Sequence, residues 1–313
     1  MLGLLRRQIQ EVIATRITTV IREDLLALLR RPGYALHADG ACRAGRLGLE
    51  VHEAVTRERL GKTALLAATA VELQMEAMYV FDDVADSAPD GKRGEDLALA
   101  TALLTAGVAA ALEAAADSPD RAAALGHFCR AYSESSAGQF LDAKLQNRGG
   151  ATLEEAIQAT CLKAGGLGRL VTGFSARVAG ADWDGVALFE RFGDHLFTLA
   201  QLVDDLRDAC APGHDSDLVQ RKATLPVVFY GRGIDSVVPT DGMLSTEVRT
   251  VYESSGAPLY AAILARAYMS RAEEDISLLA QQGYAVGGLE RFLENVDSGA
   301  LETLSAARSS LVA

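Results

Sequence analysis

A chain of 313 residues, 49% hydrophobic and 23% charged, has the composition of a folded globular protein and not of a disordered one. Its 30 basic residues stand against 42 acidic ones, a net charge of -12 with no block of positive charge, which argues against nucleic acid or an anionic membrane surface as a partner. The four cysteines, Cys42, Cys129, Cys161 and Cys210, form neither a CxxC pair nor a zinc pattern and are expected to be reduced thiols of a cytoplasmic protein.

The N-terminal stretch is broken by Gln, Glu, Arg and Thr where a signal peptide needs continuous apolar residues. Within it Leu4, Leu5, Ile9, Val12, Ile13, Ile17, Val20 and Ile21 recur at three- and four-residue spacing, a helical period. The same period predicts helices over roughly residues 8–30, 60–85, 95–116, 121–147, 152–179, 184–210, 218–230, 246–254, 257–283 and 288–311. The longest uncharged run, Leu97 to Leu112, has 16 residues, too few for a membrane span, and is expected to be a buried or interface helix. Turn and cap residues separate the segments: RRPGY at 30–34, SAPDGKRG at 87–94, DSPD at 117–120, RGGAT at 148–152, APGHDSD at 211–217 and VPTDG at 238–242. With no alternating strand pattern, fixed-period repeat or flexible linker, the expectation is all-α, one domain over residues 1–313.

Asp82-Asp83-Val84-Ala85-Asp86 follows the apolar Ala77-Met78-Tyr79-Val80-Phe81, and Asp204-Asp205-Leu206-Arg207-Asp208 follows Leu199-Ala200-Gln201-Leu202-Val203. Asp82 and Asp86, and again Asp204 and Asp208, stack one helical turn apart. A single pair of this kind is ordinarily a solvated helix face. Two such pairs, each on a strongly apolar helix, crowd carboxylates that repel unless a cation neutralises them. Mg²⁺, which combines a few carboxylates with phosphate and water, answers that need; neither segment has the glycine and terminal glutamate of a calcium loop. Acidic helix ends facing one another would clamp a diphosphate through Mg²⁺ and stabilise the charge that develops as it leaves.

At this point the sequence resembles the trans-isoprenyl diphosphate synthase family, from about residue 60 to residue 230 in matching order. Besides the two aspartate-rich motifs, Lys92-Arg93-Gly94 looks like the family's Arg-Arg-Gly, Gly138-Gln139-Phe140-Leu141-Asp142 like its GQxxD segment and Lys163-Ala164-Gly165 like its Lys-Thr-Gly. Gln201 to Asp205 matches QxxDD, and Arg221-Lys222-Ala223-Thr224-Leu225-Pro226 matches GKxTLP.

The resemblance implies an isoprenoid synthase-type helical bundle with Mg²⁺ as cofactor. It assigns Asp82, Asp86 and Asp204 as metal ligands, with Asp83, Asp205 and Asp208 beside them. Lys92, Arg93, Lys163 and Lys222 would contact diphosphate, and Gln201 would line the region of the allylic cation. Ala77 and Met78, five and four residues before Asp82, stand where side-chain bulk limits chain length in the family, and a C10 to C20 allylic prenyl diphosphate is the expected substrate.

Departures gather at the place that in the family holds isopentenyl diphosphate. The Gly-Lys-Arg-x-Arg-Pro segment is replaced by Gly40-Ala41-Cys42-Arg43-Ala44-Gly45-Arg46, where Arg43 or Arg46 would have to substitute. A histidine before the first motif is replaced by Gln74-Met75-Glu76, an acid expected to repel an anion. Ala164 stands for a threonine, and Gly213-His214 for a Gly-Lys pair. The expected activity is Mg²⁺-dependent ionisation of the allylic diphosphate followed by prenyl transfer to isopentenyl diphosphate or another acceptor. A class I terpene cyclase on the same scaffold is the alternative, and a non-catalytic partner subunit of a prenyl synthase the second. A homodimer joined through Leu97–Leu112 is expected, with no membrane span.

Overall fold

The computed structural model describes residues 1–58, 60–86, 92–118, 120–209, 211, 216–232 and 246–296, the side chain of Asp86 excepted. Among these residues there is no β-strand. The helices are α1 (Leu2–Arg16), α2 (Thr19–Leu29), α3 (Arg43–Thr56), α4 (Lys62–Asp86), α5 (Arg93–Ala114), α6 (Arg121–Arg148) and α7 (Leu153–Thr160). A π-helical turn, Cys161–Gly165, leads into α8 (Gly166–Val178), then α9 (Trp183–Asp208), α10 (Asp217–Gln220), α11 (Leu225–Tyr230), α12 (Thr246–Ser254) and α13 (Ala257–Gln281). Residues 287–296 form α14.

The helical period therefore predicted the class, and the differences have local causes. The run 8–30 is two helices, because Ile17 adopts an extended conformation and Thr18 starts a new N-terminus. The run 152–179 is interrupted by the π turn, and 218–230 is two short helices. The periodicity passed over α3 altogether, since Gly45 and Gly48 break its apolar stripe; both glycines lie against neighbouring side chains with no room for a Cβ. At the RGGAT signal of 148–152 the cap is Thr152, which forms a reciprocal capping box with Glu155 at the start of α7. Of the predicted 288–311 helix, residues 297–311 lie outside the described residues, as do Cys210 and most of the 87–94 and 238–242 turn signals.

The chain divides into two compact units. The first comprises Met1–Tyr132, Arg169–Glu190 and Leu278–Leu289. Its centre is α4, almost wholly buried, with α1, α3 and α5 packed on it. Leu5, Ile9, Val12 and Ile13 of α1 are buried at helical spacing, and each such side chain contributes on the order of 1.5–3 kcal/mol of hydrophobic free energy. Phe128 meets Phe174 edge to face at 4.8 Å, and Phe189 meets Tyr284 at 5.1 Å. By length and composition Lys62–Ala85 and Arg93–Ala114 could each cross a membrane; α5 is longer than its 16-residue uncharged run because its charged first turn is also helical. In the fold these windows are 83% and 50% buried against protein.

The second unit comprises Ser133–Gly168, Arg191–Ser277 and Glu290–Ala313. Its core includes Ala209, Leu218, Tyr230, Tyr252 and Ala257, with Val227, Phe229 and Val251 against them. Fully buried Asp275 of α13 accepts hydrogen bonds from Arg191 and His195 of α9 at 2.5 and 2.7 Å, so its carboxylate is neutralised inside the unit.

Candidate active site

In the first unit the end of α4 carries Asp82 and Asp83, and Asp86 closes the helix. Asp82 is half-buried; Asp83 accepts a hydrogen bond of 2.6 Å from the hydroxyl of buried Tyr34. Burial and this contact with Asp83 hold the Tyr34 phenol far above its ordinary range. Ala77 and Met78, the residues expected to limit chain length, are buried on the same helix, and the Tyr132 hydroxyl lies 3.3 Å from Met78 Sδ. Lys92 precedes α5 and Arg93 begins it, both exposed.

The Tyr34–Gly45 segment packs on α4 ahead of the aspartates. Arg43 is exposed at the first position of α3, and Arg46 is half-buried. The expected repulsive acid, Glu76, is neither alone nor at the surface: it lies buried against Glu72, and burial pushes both carboxyls upward. Gln74 belongs elsewhere, its amide donating to Leu104 O at 3.2 Å between α4 and α5.

The second unit builds a denser constellation. Gly138 of α6 lets the π turn approach so closely that a Cβ there would collide with the backbone of Leu162 and Lys163. One helical turn further on, Asp142 receives the Lys163 ammonium at 3.1 Å, while the Ser135 hydroxyl donates to Lys163 O at 2.8 Å. On α9 the Gln201 side-chain amide donates to Asp205 at 2.8 Å. Asp205 is buried, and desolvation, with the nearby Asp217 and Asp142 carboxyls adding to it, raises its pKa to about 8. Asp204 and Asp208 are more open to solvent, and Asp204 pairs with Arg207 at 2.7 Å.

After α9 the chain is brought back by Ser216, which caps α10 by accepting from Val219 N and donates its hydroxyl to Ala209 O at 2.7 Å. That return places Asp217, buried, next to the Lys222 ammonium at 3.8 Å. Of the residues expected from sequence, Lys163, Gln201, Asp205 and Lys222 thus share one environment, and Asp142 and Asp217 join them. The Gly213-His214 pair lies outside the described residues.

Three participants carried no assigned role at the sequence level. Asp142 stood in a motif already noted, one turn beyond a glycine whose purpose is close approach. Asp217 stood five residues before Lys222, a spacing that only the short α10 turns into proximity. Tyr34 gave no signal, being 49 residues from Asp83.

Among the described residues no three His, Cys, Asp or Glu side chains gather closely enough to hold a metal ion by protein atoms alone. The donor chemistry nevertheless suits Mg²⁺, which takes one or two carboxylates and completes its shell with water and phosphate oxygens. Asp205 is buried beside the Asp142 and Asp217 carboxyls, and a cation bound there would favour its charged form.

The chain is similar to known proteins over most of its length. The polyprenyl synthetase family model matches residues 28–234. The chain is 26% identical over 239 residues to a geranylfarnesyl diphosphate synthase of Natronomonas pharaonis, covering 69% of each protein. Its fold matches a geranylgeranyl pyrophosphate synthetase of Geoglobus acetivorans with a TM-score of 0.79 and 21% identity, covering 96% of this chain and 97% of the other. A polyprenyl synthetase of Streptomyces coelicolor matches with a TM-score of 0.75 and 21% identity, over 95% and 96% of the two chains.

Proposed function

The chain belongs to the polyprenyl synthetase family, and from that premise we propose that it ionises an allylic prenyl diphosphate and transfers the prenyl group, as a Mg²⁺-dependent prenyltransferase. The observation that carries the reading is the cluster of Lys163, Gln201, Asp205 and Lys222 with Asp142 and Asp217. Bound Mg²⁺ would supply charge neutralisation for the departing diphosphate. Asp82, Asp83 and Asp86 in the first unit would be Mg²⁺ ligands, and so, in the second unit, would Asp204, Asp205 and Asp208.

Lys163 and Lys222 are held ready by Asp142 and Asp217, so each ammonium is oriented before the diphosphate arrives and loses little freedom on binding it. Gln201 holds one oxygen of Asp205 in place, and Lys92 and Arg93 offer further cationic groups. Buried Met78 and Ala77 would end the prenyl pocket, suiting a C10 to C20 chain.

The two units are read as one catalytic domain of the isoprenoid synthase type, a reading supported by fold matches that run over nearly the whole chain. A homodimer is supported by α5, where Leu97, Val108 and Leu112 are about two-fifths exposed along one face. Free Cys42, Cys129 and Cys161 suit a reducing, cytoplasmic location.

The test is diphosphate release from geranyl, farnesyl and geranylgeranyl diphosphate with and without Mg²⁺. Asp82→Ala and Asp204→Ala should each lower the rate by about 10²-fold or more while circular dichroism stays helical. Near-normal turnover in either variant would sink the assignment.

A further inference from the structure

Three carboxyl groups along one face of α4, Glu72, Glu76 and Asp83, bind the segment from Tyr34 to Gly45. These positions, four and then seven residues apart, fall on a single helical stripe. Tyr34 Oη donates to Asp83 at 2.6 Å and Gly45 N–H donates to Glu72 Oε2 at 2.6 Å, while the Ala44 and Ala35 amides face Glu72 and Glu76. Arg6 fixes the same segment through the carbonyls of Ala35, His37, Ala38 and Gly40 at 2.5 to 3.2 Å. The segment is therefore a rigid neighbour of the first aspartate motif, one hydrogen bond away from it.

An amide that the segment could offer to an anion, that of Gly45, is already in use. The first turn of a helix presents unpaired N–H groups, and Cys42 at the N-cap of α3 contributes no side-chain cap. Glu72 takes the Gly45 amide from within the chain, and the Ala44 and Ala35 amides face Glu72 and Glu76. Glu72 and Glu76 are each 2% exposed and touch one another, and burial raises both carboxyls. Glu76 Oε2 is buried and keeps no hydrogen-bond partner. A diphosphate entering here would meet an amide already taken by Glu72 and two buried carboxyls that repel it as they lose their protons, while Arg43 lies exposed at the surface.

Resting on the prenyl-transfer reading, we infer that Glu72 and Glu76 close this segment to a second diphosphate, and that the nucleophile accepting the prenyl group is uncharged. In the transfer, the C1–O bond of the allylic diphosphate breaks and its electron pair leaves with the diphosphate. A lone pair or π pair of the neutral nucleophile forms the new bond to C1, and the proton that nucleophile loses passes to the released diphosphate. Glu72 and Glu76 act by excluding the competing anion and take no part in bond making.

The experiment is equilibrium binding to the wild-type chain in Mg²⁺, with farnesyl thiodiphosphate as the slowly ionising donor probe and isopentenyl diphosphate added in its presence. The donor probe should bind in the micromolar range, and isopentenyl diphosphate should fail to saturate below about 1 mM. Incubation with farnesyl diphosphate alone should yield an alcohol, a hydrocarbon or, with an added neutral nucleophile, its prenyl adduct. Saturable micromolar binding of isopentenyl diphosphate, or a longer diphosphate product, overturns the inference. Failure of the donor probe to bind removes the prenyl-transfer reading itself, and the inference with it. Glu72→Ala, which frees the Gly45 amide and removes one buried carboxyl, should tighten isopentenyl diphosphate binding by about tenfold or more. A helical variant with no gain would overturn the role given to Glu72.

Discussion

The Tyr34 hydroxyl donates to Asp83 Oδ2 at 2.6 Å, tying a loop near the N-terminus to the first aspartate motif. Tyr34 is buried, and the Arg6 guanidinium clamps the carbonyls that follow it, so Asp83 is held from a rigid base.

Tyr34→Phe removes the donor and keeps the ring packing. A hydrogen bond to a charged group is worth roughly 1.5–3 kcal/mol, so the Mg²⁺ concentration for half-maximal activity should rise about tenfold. Magnesium titration at saturating substrate checks this, together with calorimetric binding of Mg²⁺ and farnesyl thiodiphosphate. An unchanged magnesium dependence in a stable variant would confine Tyr34 to packing.

Much of this architecture was legible in the residues, and the illegible parts share a cause. The long helices α4, α5, α6, α9 and α13 follow from apolar period alone, because each buries a continuous stripe. The paired lysines and aspartates of the second unit were visible as motifs, although their proximity depends on devices with no periodicity. These are the close approach at Gly138, the π turn that carries Lys163, and the Ser216 link that folds Asp217 and Lys222 back to Ala209. Glu76 was visible as an acid out of place, but its partner Glu72 and the amides of Ala35, Ala44 and Gly45 come together only through tertiary packing of α3, a helix whose glycines hid it.

Met78 is buried one turn before Asp82, with the Tyr132 hydroxyl 3.3 Å from its sulfur. Met78→Ala should lengthen the accepted prenyl chain by opening space along that face of α4. It should also cost about 2–5 kcal/mol of stability, since the surroundings relax only partly around a deleted core side chain. Substrate range across C10 to C25 diphosphates and thermal melting are the two readouts, and an unaltered range removes Met78 as the pocket floor.

The exposed face of α5 predicts self-association. Val108 and Leu112 are 40% and 41% exposed, one turn apart, beside the smaller Thr101 and Thr105. Val108→Glu should convert a dimer to a monomer by light scattering without loss of helicity, because burying an unpaired carboxylate at an interface costs several kcal/mol, on the order of the penalty for an isolated charge. A wild-type monomer at micromolar concentration would refute the interface.

Asp275 is fully buried and accepts from both Arg191 and His195. Asp275→Asn leaves the Arg191 guanidinium without its counter-charge and takes a carboxylate oxygen from His195, and should destabilise the chain by on the order of 3–5 kcal/mol. Urea unfolding followed by circular dichroism measures it, and a loss below about 1 kcal/mol would show that solvent reaching Arg191 already screens the pair.

The Glu72–Glu76 pair makes stability depend on pH in a direction opposite to that of ordinary surface carboxylates. Burial raises both carboxyls above the ordinary glutamate value of 4.5, Glu76 further raised by its contact with Glu72. A carboxyl whose folded pKa is raised binds its proton more tightly in the native state than in the unfolded one. Its contribution is fully present below the unfolded value and is lost as pH rises through the folded one. Cys42, Tyr34 and Arg6 face the same pocket; the thiol and phenol are themselves pushed upward by burial and stay neutral through this range, and the guanidinium stays charged. From pH 5 upward the wild-type chain should therefore lose stability relative to Glu76→Gln, whose amide keeps a hydrogen-bonding side chain with no proton to lose. Melting temperatures measured side by side from about pH 5 to pH 9 should diverge steadily, the variant gaining on the wild type. Parallel curves would mean that the pair ionises as freely in the fold as in water, and that burial holds no proton on it.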